Sequence, residues 1–519
     1  MTSTITPYRS DLRAGRDGFA QLLRAEWTKF RTVRGWVLTM TAAALATVLL
    51  GLGFSAASHS SCSEGPIEVA CPIPPLGPGG EAVRDRLYFV NRPLTGDGSI
   101  TARLTSMSGI ITYPPPNHDQ IVPGLVPWAK AGLIIKQSTK QGSVYAAVMV
   151  TGSHGVRMQH NFTHDTGGGP TTFPRWLRLT RSGDILTGYE SADGKQWTKV
   201  GTADLTGLPD TVRIGLFANS PGDLTVEQGS LGGSNTQLRF TQTTAVFDQV
   251  SVQGDVPRGA WSRDDVGVDG KTDWERYRQA NGLVESGGTL TVSGTGDIAP
   301  ISDGQSIERT LIGALVGLIA VMVVAVLFIT AEYRRGLIRT SLLASPRRGR
   351  VLAAKATVIG LVTFTAGLVS AAVTVPICTR ILRANGTYPL PVSPLTELRV
   401  IVGTAALLAA AAVFALGLGA LFRRSAVAIT VAVATVLLPY LLATVSSLPL
   451  GVSQWLLRLT PAAGFAIQQS MQEYPQVLAY YAPQMGYFPL APWAGLAVLG
   501  GYAALALGLA IFRVRQKDA

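Results

Sequence analysis

Few residues in this chain are spaced to do chemistry together, and those that come near it each lack a partner. Cleaving a glycosidic bond takes two carboxylates flanking that bond, and no acidic pair at strand spacing, such as Glu-x-Asp-x-x-Glu, occurs. His154, His160 and His164 have no Cys or Asp cluster beside them, so they read as surface or core histidines rather than metal ligands. Asp264, Asp265 and Asp269 approach a Ca2+ loop without its full ligand spacing. The run Gly267-Val268-Asp269-Gly270-Lys271-Thr272 ends like a phosphate-cradling nucleotide loop. That loop needs a glycine five residues before Gly270, and the place holds Asp265, so the run reads as a turn. The expectation is a chain with no catalytic residue, no metal site and no cofactor. What remains is binding chemistry: the rings of Trp128, Trp176, Tyr189 and Trp197 can stack on sugars, although Trp at strand spacing also fills cores.

The elements that must carry these residues are of two kinds. The chain has 519 residues, 47% hydrophobic and only 15% charged, with a mean hydropathy of +0.28, whereas soluble domains carry about 25% charge. Its apolar residues are gathered into runs free of Asp, Glu, Lys and Arg. These lie between Arg34 and Glu64, Arg309 and Glu332, Lys355 and Arg380, Arg399 and Arg423, Arg424 and Arg458, and Glu473 and Arg513. About 20 apolar residues cross a bilayer core as a helix, so six spans are predicted, near 37–57, 311–331, 356–378, 400–422, 426–448 and 493–512. Pro439 falls inside the fifth, where neighbours can satisfy the freed carbonyl.

Basic residues orient the spans. With the N-terminus cytoplasmic, the inner segments hold 19 Lys and Arg and the short outer loops four, so both termini are expected in the cytoplasm of a plasma-membrane protein. A leader of about 35 residues and an apolar run of about 20 exceed the usual signal peptide, so the first run is expected to stay as a span. The net charge of +12 divides the same way. Residues 59–308 carry 20 basic and 25 acidic groups, leaving the excess on the membrane-facing remainder. That is a positive-inside bias and excludes a nucleic-acid partner.

Four regions follow. They are a cytoplasmic leader over 1–35, a first span over 36–58, an outer domain over 59–308, and five spans over 309–519 with an inner loop at 332–355. Within the outer domain, Thr211-Val212-Arg213-Ile214-Gly215-Leu216-Phe217 alternates, as does Trp176-Leu177-Arg178-Leu179-Thr180. Similar strands are readable at 98–104, 128–136, 143–150, 156–160, 184–189 and 245–252, separated by turns such as Asp193-Gly194. An all-β antiparallel sandwich over about 80–252 is predicted, folding by itself, with a C-terminal extension. Cys62 and Cys71 lie just after the first span, on the oxidising side, and are expected to form a disulfide. Cys378 reads as a packing residue. The stretch Trp128-Ala129-Lys130-Ala131-Gly132-Leu133-Ile134-Ile135, with 189–197 downstream, resembles the concanavalin-like, laminin-G-like sandwiches; that resemblance implies a sugar ligand only weakly.

Function has to come from the membrane part. The spans hold no Asp, Glu, Lys or Arg, which argues against an ion-coupled transporter, and with no nucleotide loop any pump must borrow energy from a partner. Phe19, Leu22, Leu23, Trp27, Phe30 and Val33 recur at helical spacing with Arg24, Lys29 and Arg31 between them, predicting an amphipathic helix on the inner surface. The sequence Leu23-Arg24-Ala25-Glu26-Trp27-Thr28-Lys29-Phe30-Arg31-Thr32-Val33-Arg34 resembles the opening of actinobacterial permease subunits of type-two ABC exporters. The inner-loop runs at 332–336, 342–348 and 354–355 and the stretch 459–464 before the last span are similar to the same family. The inserted sandwich departs from its plain pattern.

That resemblance implies paired permeases, identical or not, each docking one ABC ATPase subunit. The leader helix and the 332–355 loop would transmit nucleotide-driven closure. Glu26, Trp27, Lys29 and Glu332 would stand at the junction, and Arg334, Arg335, Gly336 and Arg339 would face the ATPase or lipid headgroups. Gly313 and Gly317 form a small-xxx-small face for helix packing, either between subunits or within one. The rival reading is a membrane-anchored extracellular sensor or glycan-binding protein, with the sandwich as receptor.

Overall fold

The computed structural model describes residues 18–64, 67–69, 71–113, 120–228, 234–257, 259–267, 281–302, 304–334, 348–445 and 448–516. Among the described residues six helices are long and apolar enough to cross a membrane: Arg34–Ala57, Ala314–Arg334, Gly349–Ala384, Pro394–Phe422, Ser425–Thr444 and Pro492–Gln516. They coincide with the six charge-free runs but reach past them. The third has 36 residues, roughly 54 Å at 1.5 Å per residue, against a hydrocarbon core of about 30 Å. Its first turns and the last turn of the second span therefore carry the two ends of what the sequence presents as an inner loop, whose middle, 335–347, lies outside the described residues. Glu332 and Arg334 close the second span, and Lys355 lies inside the third.

Close approach of the first three spans depends on small residues. A Cβ on Gly313 would lie 2.3 Å from the Thr47 carbonyl oxygen, and one on Gly317 would lie 2.6 Å from Thr47 Oγ1. Gly51 faces the Thr310 carbonyl and the Thr374 methyl, each 2.6 Å from its would-be Cβ. The small face at Gly313 and Gly317 thus packs within the chain, against the first span. Cys378 is a buried free thiol. Asn385 Nδ2 donates to the carbonyls of Ser55 and Ser58 at 3.1 and 3.2 Å, satisfying acceptors that the end of the first helix leaves open. The second and fourth spans form the centre of the bundle. Before the sixth span the chain re-enters as a 3-10 helix, Pro461–Gln468, with all eight residues buried.

Between the first and second spans lies an antiparallel sheet that curls on itself, with 15 strands among the described residues. Leu87–Thr112 and Ser234–Asp255, of 26 and 22 residues, run side by side as its long members. One wing is Arg175–Ser182, Ile185–Ser191 and Thr198–Asp204; the other is Lys130–Lys136, Tyr145–Thr151 and Val156–His160. Leu177, Leu179 and Leu186 from the first wing meet Leu133, Val148 and Met158 from the second in one core. The sheet is thereby barrel-like, each strand giving its alternate residues to the interior. The C-terminal extension belongs to this sheet. Thr289–Gly294 pairs with Ser234–Asp255 and with Gly282–Ser286, and Ser262–Val266 pairs with Leu87–Thr112. A boundary near residue 252 would cut these partners away, so the self-contained unit is larger than the sequence patterning indicates.

Lys130–Lys136 is buried on both faces. Its second face packs under a two-stranded strap formed by Val83–Asp85 and Ile298–Pro300, with Phe89, Ile134, Tyr145 and Phe162 between them. Two lysines on that face are fully enclosed. Lys136 Nζ is 2.6 Å from Asp85 Oδ2, and Lys130 Nζ is 2.6 Å from Asp297 Oδ1. The strap is where the chain enters and leaves the sheet, so these ion pairs tie both connections to the sheet. Gln476 Nε2 donates to the carbonyls of Phe162 and Thr163 at 3.3 and 3.2 Å, fastening the loop before the sixth span to the sheet's edge. Cys62 and Cys71 are disulfide-bonded, their Cα atoms 4.9 Å apart, across the hairpin Cys62–Glu64 and Ile67–Val69.

Candidate functional site: a charged junction of three helices

The helix Phe19–Thr32 forms because its apolar residues recur every three to four positions. It breaks at Val33 in extended backbone and turns into the first span. Its apolar face rests on an aromatic cluster. Phe30 meets Phe328 edge-on at 5.9 Å, Trp36 meets Phe328 at 5.0 Å, and Trp27 stacks on Phe30 at 6.5 Å. This packing brings Glu26 against the end of the second span, far from the sheet.

There two carboxylates and two ammonium groups from three helices converge. Lys355 Nζ is 2.5 Å from Glu26 Oε2 and 2.7 Å from Glu332 Oε1. Lys29 Nζ is 2.8 Å from Glu26 Oε1 and 3.1 Å from Glu332 Oε1. Lys355 is fully buried, Glu26 and Glu332 nearly so, and only the Lys29 side chain, 40% exposed, reaches the surface. Lys355 Nζ also lies 4.6 Å from the Phe328 ring centre, an added cation–π attraction. Burial works against the Lys29 ammonium, but Glu26 first and Glu332 after it outweigh that and hold its pKa above the ordinary lysine value. The group is charge-balanced, as burial of ions demands. Glu332 Oε2 has no hydrogen-bond partner among the described residues. With both lysines on Oε1, the carboxylate has an oxygen in reserve.

Glu26, Lys29 and Glu332 thus meet one another, the two carboxylates facing inward across Lys355 rather than out towards a partner. Trp27 is 46% exposed, and Arg334 is exposed at the end of the second span. Arg335, Gly336 and Arg339 lie outside the described residues. Lys355 is the member that sequence spacing hides: it stands 23 residues after Glu332 and 329 after Glu26, and by composition it is one more positive-inside charge.

The rings proposed for ligand binding separate into two sets. Trp128 is 5% exposed, stacked on His154 at 3.9 Å with the Arg157 guanidinium 5.5 Å from its centre. It is a core residue. Trp176 and Tyr189 lie on the outer face of adjacent strands, half-buried, with Trp197 in the turn that follows. Arg178 caps Trp197 at 3.9 Å and Arg103 approaches Trp176 at 5.8 Å. His160 and His164 stack at 4.2 Å. Asp264 accepts from Asn91 Nδ2 and Asp265 from Asn281 Nδ2, while Asp269 lies outside the described residues. Among the described residues no three His, Cys, Asp or Glu side chains gather as metal ligands would.

A family model described as ABC-2 family transporter protein matches residues 137–519. The match takes in much of the sheet, the junction at Glu332 and Lys355, and the last five spans. The chain belongs to the ABC-2 transporter family, and it is a multi-pass permease component of an ABC transporter. Similar solved structures overlay on part of the chain. One is a functionally unknown protein from Saccharomyces cerevisiae, at 15% identity and TM-score 0.21, covering 33% of this chain and 76% of that one. Another is a GH43 protein from Bacillus licheniformis, at 16% and 0.19, covering 30% of this chain and 27% of that one. A third is Scytalido-glutamic peptidase, at 10% and 0.23, covering 42% of this chain and 100% of that one. No curated protein sequence matches the chain.

Proposed function

We propose that the chain is the permease subunit of an ATP-driven exporter. It works as a pair with a second permease, with ATP hydrolysed by separate subunits docked at the charged junction. Both termini then lie in the cytoplasm and the sheet projects outside, in keeping with the excess of basic residues at the junction end. The observation that carries this reading is the Glu26–Lys355–Glu332 network. It links a surface helix that is part of no span to the second and third spans, so a push on that helix reaches the transmembrane bundle through charged contacts rather than through loose loop. Trp27, exposed beside it, gives a partner an apolar handle.

Exchanging Glu332 for Gln keeps the size and the basic count, so insertion stays normal. It weakens a charge-assisted contact of roughly 1.5–3 kcal/mol. The expected outcome is depressed transport with basal, poorly stimulated ATPase activity in the complex, and the same for Glu26→Gln. Normal transport by both variants at normal expression sinks the coupling role. A second reading, a concanavalin-like sandwich that holds a glycan outside the cell, is favoured by the shared outer face of Trp176, Tyr189 and Trp197. Loss of glycan retention on Trp176→Ala and Tyr189→Ala would support it.

A further inference from the structure

At the sheet-bearing end of the bundle is a cavity of about 350 Å3. It opens between the end of the first span, the 3-10 turn Ile307–Leu311, the fifth span and the re-entrant helix Pro461–Gln468. Its walls are rings: Phe54, Tyr440, Phe465 and Phe488, with Tyr440 and Phe465 stacked at 4.1 Å. Into this apolar space projects Glu308. One carboxylate oxygen, Oε2, accepts from the Ser470 hydroxyl. The other, Oε1, is buried and has no hydrogen-bond partner among the described residues, and neither has the amide oxygen of Gln484 on the same wall. Gly486 keeps the approach open, since a Cβ there would stand 3.1 Å from Glu308 Oε1.

A buried carboxylate oxygen with no donor is costly, and aromatic walls around it are the usual surroundings of a bound organic cation. Burial raises the Glu308 carboxyl's pKa above the ordinary carboxylate value, the Ser470 hydroxyl, the Glu308 backbone N–H, the Ser306 hydroxyl and the Ser470 backbone N–H pulling the other way. Two arginines stand near. Arg309 lines the rim. Arg399, behind the carboxylate, donates to the Gln469 carbonyl at 2.5 Å and makes no hydrogen bond to Glu308. Neither hydrogen-bonds to Oε1, and the Ser306 hydroxyl on the same wall, itself without a partner among the described residues, is a neutral donor beside it.

We propose that this cavity binds a primary ammonium carried on an apolar body. The N–H groups donate to Glu308 Oε1 and Gln484 Oε1, while the body lies against Tyr440 and Phe465. The ligand class rests on the permease reading only for its placement at the membrane's outer edge; binding itself needs no ATPase.

The test uses the full chain in lipid nanodiscs without a partner subunit. The probe is dansylcadaverine, a primary amine on an aromatic body, and the control is its N-acetyl derivative, which has lost the charge. Saturable dansyl fluorescence is expected for the amine, with the acetylated form at least about tenfold weaker. Glu308→Gln, which keeps the shape, should cost the amine about tenfold or more in affinity and leave the acetylated form unchanged. Gln484→Glu, which adds a second carboxylate, should tighten amine binding. Equal affinity of the amine for wild type and Glu308→Gln overturns the site, as does equal affinity for amine and amide. A permease that binds the amine but shows no ATP-driven transport with its partner would sink the transport reading while leaving this site standing.

Discussion

The molecule buries lysines in two places and treats them differently. In the sheet, Lys136 has Asp85 and Lys130 has Asp297, each pair closed and almost without solvent. At the junction, Lys355 divides itself between Glu26 and Glu332, and Lys29 touches both of the same carboxylates. A closed pair has one favourable arrangement, so it pins the strap that joins the sheet to the spans. A shared network has several pairings of similar energy, and one can replace another as the helices shift. Burial alone does not distinguish the two. The distinction is how many elements compete for each charge, two for each pair in the sheet and three at the junction.

The largest effect is expected where one lysine serves two carboxylates. Lys355→Met leaves Glu26 and Glu332 buried with only the half-exposed Lys29, and should destabilise the bundle by about 3–5 kcal/mol. Thermal unfolding in detergent reads this, and adding Glu26→Gln should recover part of the loss. Lys136→Met should cost a comparable amount in the sheet by stranding Asp85, but adding Asp85→Leu should restore most of it, since an apolar replacement of a whole closed pair is near neutral. The comparison breaks if the Lys136 variant, once refolded in this way, uncouples the ATPase as strongly as Glu332→Gln does.

Next comes the boundary of the sheet. A soluble fragment of residues 80–302 should fold cooperatively. One of residues 80–252, lacking Thr289–Gly294, Ser262–Val266 and half of the strap, should show broad unfolding by circular dichroism; equal cooperativity of the two would make the extension an ornament.

A smaller effect is set by pH. Burial, and then the adjoining His164, lower the His160 pKa from 6.5 to about 4. The folded sheet therefore prefers the neutral ring. The stability this represents is complete above pH 6.5 and is lost as pH falls towards 4. The melting temperature of the 80–302 fragment should drop across that window, and His160→Gln should flatten the drop. The junction's smallest response is Lys29→Met, expected below about 1 kcal/mol, because the ammonium is 40% exposed and Lys355 still holds both carboxylates.

The sequence alone determined the elements whose physics is local or compositional. A charge-free run long enough to span a bilayer has one stable conformation there, so the six spans were legible. So was the amphipathic helix at Phe19–Thr32, where period and face agree. The alternation at Thr211–Asn219 and Arg175–Ser182 revealed those strands. The start of Leu87–Thr112 escaped because Leu87, Tyr88, Phe89, Val90 and Asn91 are all buried and do not alternate. Only the tertiary structure decided which distant charges meet. Lys355 acquires its role from Glu26 and Glu332 being brought to it by three helices, and Glu308 from a cavity assembled out of four separate segments. Trp128 went the other way, from candidate ligand ring to enclosed core. Nothing within a few residues of any of them encodes this, because a charge or ring in sequence carries no record of the neighbours that folding will supply.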